Sequence, residues 1–326
     1  MNYGLGVKWE VVEGLALRSR TASSYKAPTL TDLHQLGGGG YFTVNDDKWC
    51  DREREENRVC NPDNPSRQVY VDSPGNKELD PEVGVNYISG IIYEPMSGLV
   101  LIGDYYDITL EKTFQTDSLQ EIVDRWYRDN PGNTTGGEVT GNPIGVDSQG
   151  IITTVGTPVR NLGKTEVHAA QLKLNYSTKL ADVRMALSSQ YFRMISFKEQ
   201  ESQESEIRQI KGFIGTPAWR HNHNLSLGYD SHSINLSAQV IAKQVQDPLL
   251  ANDNTRGTSI AEHKEYDASY TALLPWDGSL QIGVNNIFDS IGGVRRANGI
   301  GEERIATTSI YSATGRTYFA RITQRF

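Results

Sequence analysis

No stretch of this 326-residue chain approaches the roughly 20 consecutive apolar residues that a membrane-spanning helix needs. A helical membrane protein is therefore excluded. Hydrophobic residues make up only 37% of the chain. That shortage leaves a β-barrel open, because a barrel strand needs an apolar side chain only at every second position. Positive charge is not in excess either: 32 Lys and Arg stand against 40 Asp and Glu, a net charge of −8. A nucleic-acid partner, which calls for a basic stripe, is not expected. P-loop, zinc motif, nucleophile elbow and dinucleotide fingerprint are all missing, so neither an enzyme nor a bound cofactor is expected. The run Gly37-Gly38-Gly39-Gly40 is followed by neither Lys-Ser/Thr nor a helix, and reads as a flexible loop rather than a phosphate cradle. The N-terminal residues show no basic segment followed by an apolar core, hence no export signal. Such a start fits a cytosolic protein or one whose upstream part lies outside this chain.

Cysteine is nearly absent. The two that occur, Cys50 and Cys60, lie ten residues apart in one charged stretch. They read as a disulfide staple from an oxidising compartment, with two free thiols as the alternative. No further Cys or His sits nearby to make a metal site. His221 and His223 stand two apart, which puts them on one strand face, either as metal ligands or as polar lumen or interface residues. The acidic residues Asp46, Asp47 and Asp51 to Glu56 read as a solvated loop rather than a cation site.

What the chain does have is alternation. At its C-terminus Tyr318, Ala320, Ile322 and Phe326 fall on one face, and Thr317, Arg321, Thr323 and Arg325 on the other. This is the pattern of a strand between lipid and a wet lumen. Similar period-2 segments begin at Tyr3–Val11 and Leu15–Tyr25 and recur near Val85–Tyr93, Leu99–Glu111, Ala170–Tyr176 and Val183–Tyr191, and on to the C-terminus, about eleven in all. Around Asp104-Tyr105-Tyr106 the face is ambiguous, and a bulge is expected there. The connections alternate strictly between short, such as Val12-Glu13-Gly14 and Pro275–Gly278, and long, at roughly 26–83, 114–164, 197–216, 246–262 and 289–313. A soluble sandwich has no reason to collect every long loop at one end. An outer-membrane barrel does, with short periplasmic turns and long extracellular loops. In the second long loop, Ser118 and Glu121 suggest a capping box for a short helix whose Leu119, Ile122, Val123 and Trp126 share a face.

Six ordered segments resemble the C-terminal half of a TonB-dependent outer-membrane receptor. They are Tyr25 to Leu33, Gly75 to Glu82, Asp104-Tyr105-Tyr106-Asp107-Ile108, Asn161-Leu162-Gly163, Val284-Asn285-Asn286-Ile287-Phe288-Asp289, and Gly315-Arg316-Thr317-Tyr318. Two departures stand out: Ala169-Ala170-Gln171 where the family has Gly-x-Glu, and Gln324 where an aromatic or apolar residue is usual. The resemblance implies an all-β, antiparallel transmembrane β-barrel. Residues 1–326 would supply about eleven C-terminal strands of 22, with the plug domain, its TonB box and the N-terminal strands missing. It implies a receptor in the bacterial outer membrane that imports a scarce solute (ferric siderophore, cobalamin, haem or oligosaccharide) with energy from TonB. Partners would be the small-molecule or oligosaccharide ligand, the TonB complex, outer-membrane lipid, and the barrel-assembly machinery, which would read Tyr318, Ile322 and Phe326. A passive porin-type barrel or a soluble β-rich carbohydrate-binding domain is the alternative. Tyr41, Phe42 and Trp49 in the first long loop, and Trp126 and Tyr127 in the second, are the candidate groups to stack on a chelate or sugar ring. Trp126 has a second reading, as packing inside its loop.

Overall fold

The computed structural model describes residues 2–56, 60–200, 205–248, 258–297, 301–304, 310–312 and 314–324. The alternating segments become eleven long strands: β1 (Gly4–Val12), β2 (Leu15–Lys26), β3 (Glu82–Met96), β4 (Leu99–Gln115), β5 (Arg160–Leu180), β6 (Val183–Gln200), β7 (Trp219–Tyr229), β8 (His232–Ile241), β9 (His263–Leu274), β10 (Gly278–Asn285) and β11 (Thr317–Gln324). Each pairs antiparallel with the next, so chain order is sheet order and β1 and β11 are the end strands. Cross-strand partners share a face. Trp9, Leu17, Ile91, Gly103 and Leu172 lie in one such row, and Lys8, Arg18, Gly90, Asp104 and Gln171 in the row behind it. The first face keeps its large apolar side chains exposed, among them Leu5, Val7, Trp9, Leu172 and Ile322. A sheet that turns its apolar side out and its charged side in is built for lipid.

Short turns close one end of the sheet, at 13–14, 97–98, 181–182, 230–231 and 275–277. Gly98 adopts φ +82, and a Cβ there would strike the Ser177 carbonyl, so this turn needs glycine. Gln324, the departure in the last strand, donates its side-chain amide to the Trp276 carbonyl at 2.9 Å and ties β11 to the last of these turns.

The bulge expected at Asp104–Tyr106 is not there. The β3–β4 register runs unbroken from Val83↔Glu111 to Tyr93↔Leu101, and breaks occur instead between Tyr93 and Met96 and between His168 and Ala169. The tyrosines made the face look ambiguous because they take opposite sides. Tyr105 pairs with Ala170 on the apolar face, while Tyr106 donates its hydroxyl to Gln171 Oε1 at 3.1 Å on the polar one. Beside it Arg18 reaches across β3 to grip Asp104 with both prongs, at 3.0 and 2.6 Å. It can do so because Gly90 lies between them, and any Cβ there would collide with the Asp104 carboxylate.

The first two long loops fold together. Strands Gly39–Asn45, Ser66–Asp72, Ile152–Gly156, Asn142–Val146 and Gly137–Val139 form one five-stranded sheet in that order. Its join between the loops is the parallel pairing of Tyr70–Asp72 with Thr154–Gly156. The Gly37–Gly40 run is thus not a free loop: Gly39 and Gly40 pair with Asp72 and Val71. Two helices flank the sheet, α2 (Asp47–Glu55) and α3 (Leu119–Asp129); a shorter one, α1 (Leu30–His34), precedes it. Val44, Val69, Val71, Ile122, Val123, Trp126, Ile144, Ile152 and Val155 bury each other in a hydrophobic core. The helix face read from the sequence is the face that enters this core. The capping box is not made: Ser118 is the N-cap but its side chain accepts no cap hydrogen bond. A box does form at α1, where Thr29 and Asp32 satisfy each other's backbone amides. A smaller cluster of Ile241, Ile260, Ile310 and Tyr311 packs the bases of the later loops.

Candidate functional site

The cap made by the first two long loops is where solute-facing groups were expected, and its polar wiring explains which of them are free. Asp46 is the N-cap of α2, buried, and accepts from the Trp49 amide (2.9 Å), Arg67 Nε (2.7 Å) and the Tyr127 hydroxyl (3.0 Å). The Tyr127 oxygen in turn accepts from the Ile152 amide at 3.0 Å, and Arg67 Nη2 donates to the Ile152 carbonyl. One carboxylate, one guanidinium and one phenol therefore bolt the first loop to the second. Burial pushes the Tyr127 hydroxyl far above the usual phenol range, and the Asp46 charge adds to the rise. In the first turn of α2 Lys48 donates to the Gly150 carbonyl at 3.1 Å, and toward its other end Arg52 pairs with Asp147 at 2.6 Å. Burial pushes the Asp147 carboxyl up, but the Ile151 amide, Arg52 and the Gln149 amide together hold it below its ordinary value. Cys50 and Cys60 are joined by a disulfide, with Cα atoms 5.4 Å apart, which closes the segment behind α2.

This wiring divides the five candidate aromatics. Trp126 is 1% exposed at the centre of the core and offers no ring face to a solute. Its role is packing, because its position on α3 points it under the sheet. Tyr127 is half-buried, held at its hydroxyl, with Lys48 Nζ 5.1 Å from its ring. Trp49 is half-buried beneath the Arg67 guanidinium, 5.8 Å away. Tyr41 and Phe42 differ: they are 70% and 55% exposed on Gly39–Asn45, an end strand of the cap sheet. Tyr41 is steadied edge-on by Tyr70, with ring centroids 5.6 Å apart. Sequence reasoning missed Asp46, Arg67, Arg52 and Asp147 as a set. The alternation of Val69 and Val71 in Ser66–Asp72 was the one signal that this loop held a strand.

On the sheet, Tyr318 and Ile322 stand on the apolar face, 72% and 75% exposed; Phe326 lies outside the described residues. His221 and His223 also lie on the apolar face, their ring centroids 3.8 Å apart, rather than in the lumen. No group of three or more metal-ligating side chains occurs among the described residues.

An antiparallel sheet of this length, with an apolar outside, a charged inside and long loops at one end, defines the wall of an outer-membrane β-barrel. Residues 1–287 match the family described as TonB dependent receptor-like, beta-barrel, and the chain belongs to that family. Its members are transporters of the outer membrane, not enzymes. Among solved structures, a mutant of the ferric enterobactin receptor PfeA from Pseudomonas aeruginosa is similar at 18% identity and TM-score 0.67, over 100% of this chain and 40% of that one. The siderophore receptor PirA from Acinetobacter baumannii is similar at 15% identity and TM-score 0.63, over 100% and 41%. The copper transporter OprC is similar at 12% identity and TM-score 0.55, over 99% and 39%. The chain therefore spans about two fifths of the length of these structures. No curated protein sequence matches it.

Proposed function

We propose that this chain is the solute-capturing half of an outer-membrane active-transport receptor, and that its cargo is a ferric chelate of the siderophore type. The observation that carries the reading is the pair Tyr41 and Phe42, exposed on a cap whose other candidate aromatics are buried (Trp126) or half-buried (Trp49 and Tyr127). As consecutive strand residues Tyr41 and Phe42 present their rings on opposite sides of the end strand, so a flat chelate would stack on one ring and meet the other at the strand edge, and stacking is strongest when the receptor's ring need not be ordered on binding. The likeness to receptors named for ferric enterobactin and siderophores supports this cargo over cobalamin, haem or an oligosaccharide. Energy would come from TonB through a plug inside the barrel. The free edges of β1 and β11 would pair with further strands, because unpaired backbone groups in hydrocarbon each cost several kcal/mol. The barrel-assembly machinery would read Tyr318, Ile322 and Phe326.

The test is uptake of a radiolabelled ferric catecholate by cells that depend on this receptor. Replacing both Tyr41 and Phe42 by Ala should raise the apparent KM about two- to tenfold, from the loss of one stacking contact of roughly 0.5–1.5 kcal/mol, whichever of the two rings makes it. The heat-modifiable barrel band should be unchanged. Unaltered uptake by a well-assembled variant would overturn the assignment.

A further inference from the structure

Toward its loop end the apolar face of the sheet carries polar side chains: Asp107 and His168 on β4 and β5, Lys264 on β9, which pairs with Glu262, and a cluster on β6 and β7. Along β7 the side chains on that face run Trp219, His221, His223, Leu225, Leu227 and Tyr229. Across from them on β6 stand Arg193 beside Trp219, then Tyr191 and Ser189. The rings form a ladder. Tyr191 lies 6.1 Å from Trp219 and 5.5 Å, edge-on, from His221, and His221 lies 3.8 Å from His223. Ser189 Oγ and His221 Nε2 share a hydrogen bond of 3.1 Å. Arg193 is exposed and has no carboxylate partner among the described residues. The flanking positions on the same face are Ala170 and Leu172 on β5 and Ala238 and Val240 on β8, none of them charged. The nearest carboxylate across β5, Asp107, already faces His168 at 3.9 Å.

Depth locates the patch. From Tyr229 to Trp219 is about 33 Å along the strand, or about 25 Å of height at a tilt near 40°, which is the height of a barrel's apolar band. With Tyr229, beside the short turn at 230–231, taken as the periplasmic boundary, Arg193 and Trp219 would fall level with the outer-leaflet headgroups and the histidines just beneath. An unpaired guanidinium at that level, with imidazole N–H and hydroxyl groups below it and an aromatic wall beside it, complements an anion that carries acyl chains. Cationic side chains are costly against lipid unless something negative meets them. We infer that Arg193, His221 and His223 form a binding site on the outer wall for the phosphate of an outer-leaflet lipid, whose chains run down over Leu225 and Leu227. The inference rests on the membrane placement of this face and not on the cargo reading, so either can fail alone.

The experiment is native mass spectrometry of the full-length protein in detergent, titrated with phosphatidic acid or with diacylglycerol of the same chains. Phosphatidic acid should be retained and diacylglycerol lost. Arg193→Gln should weaken phosphatidic acid binding about fivefold, as expected for one basic residue at an anionic surface. The triple variant with His221→Gln and His223→Gln should weaken it more than tenfold, and Arg193→Lys should stay within about twofold of the wild type. Heat-modifiability reports folding; should the triple variant misfold, the Gln and Lys variants of Arg193 decide the matter. Equal retention of the two lipids, or unchanged affinity in folded Arg193→Gln, would overturn the site. So would displacement of phosphatidic acid by millimolar inorganic phosphate, which would mark a site for the free anion.

Discussion

The wall and the cap solve opposite problems with the same chain. In the wall, Leu5, Val7, Trp9 and Ile322 stay exposed and the strands have no core of their own; lipid completes them. In the cap, Val44, Ile122, Trp126, Ile152 and Val155 are buried to within 2% and water surrounds the outside. The wall is held by a ladder between sequence neighbours, with each strand fixed by the strand before it. The cap is held by contacts between residues 80 or more positions apart, such as Tyr70 with Thr154 and Asp46 with Tyr127. Damage to one should therefore leave the other standing, and the molecule is best probed by asking whether it does.

The largest separation should come from Trp126→Ala. Emptying the centre of the cap core should cost about 3–5 kcal/mol. Hydrogen exchange across residues 119–156 should rise sharply while the barrel strands stay protected and the heat-modifiable band persists. Loss of the barrel as well would show that the two regions are one cooperative unit. A smaller effect is expected from replacing Cys50 and Cys60 together by Ser. Closing so short a segment is worth roughly 2–3 kcal/mol, acting on the unfolded cap, so the urea midpoint of cap unfolding should fall and that of the barrel should not.

The smallest effect is with pH. The Asp147 carboxyl is held below its ordinary value of 3.8, so its contribution is complete above about pH 4 and lost as pH falls below that. Cap stability should decline over that acid window, and Asp147→Asn should flatten the decline. An unchanged profile in the variant would remove Asp147 from the lock.

The wall was legible in the sequence because its code is local. A period of two and a tight turn such as that at Gly98 specify each hairpin without reference to anything distant. The resemblance of the Asp104–Ile108 and Val284–Asp289 segments then supplied the architecture. The cap was mostly illegible. Its strands are three to seven residues long and pair across two loops, once in parallel, so no single segment announces its partner. The candidate aromatics were chosen by residue type, which cannot separate Tyr41 from Trp126; that needs the sheet under which α3 lies. The helix face of Ile122, Val123 and Trp126 was the exception, since one turn of periodicity is enough to show that a face is meant to be buried.

The parallel join between Ser66–Asp72 and Ile152–Gly156 also sets an order of events during biogenesis. The first loop cannot complete its sheet until the second has crossed the membrane, and between the two stands the hairpin β3–β4. Until then Val69, Val71 and Val44 have no second layer to cover them. For that interval the first loop would keep these valines open to water. The Cys50–Cys60 bond needs nothing from the second loop, and is the one crosslink available to restrain the first loop while it waits.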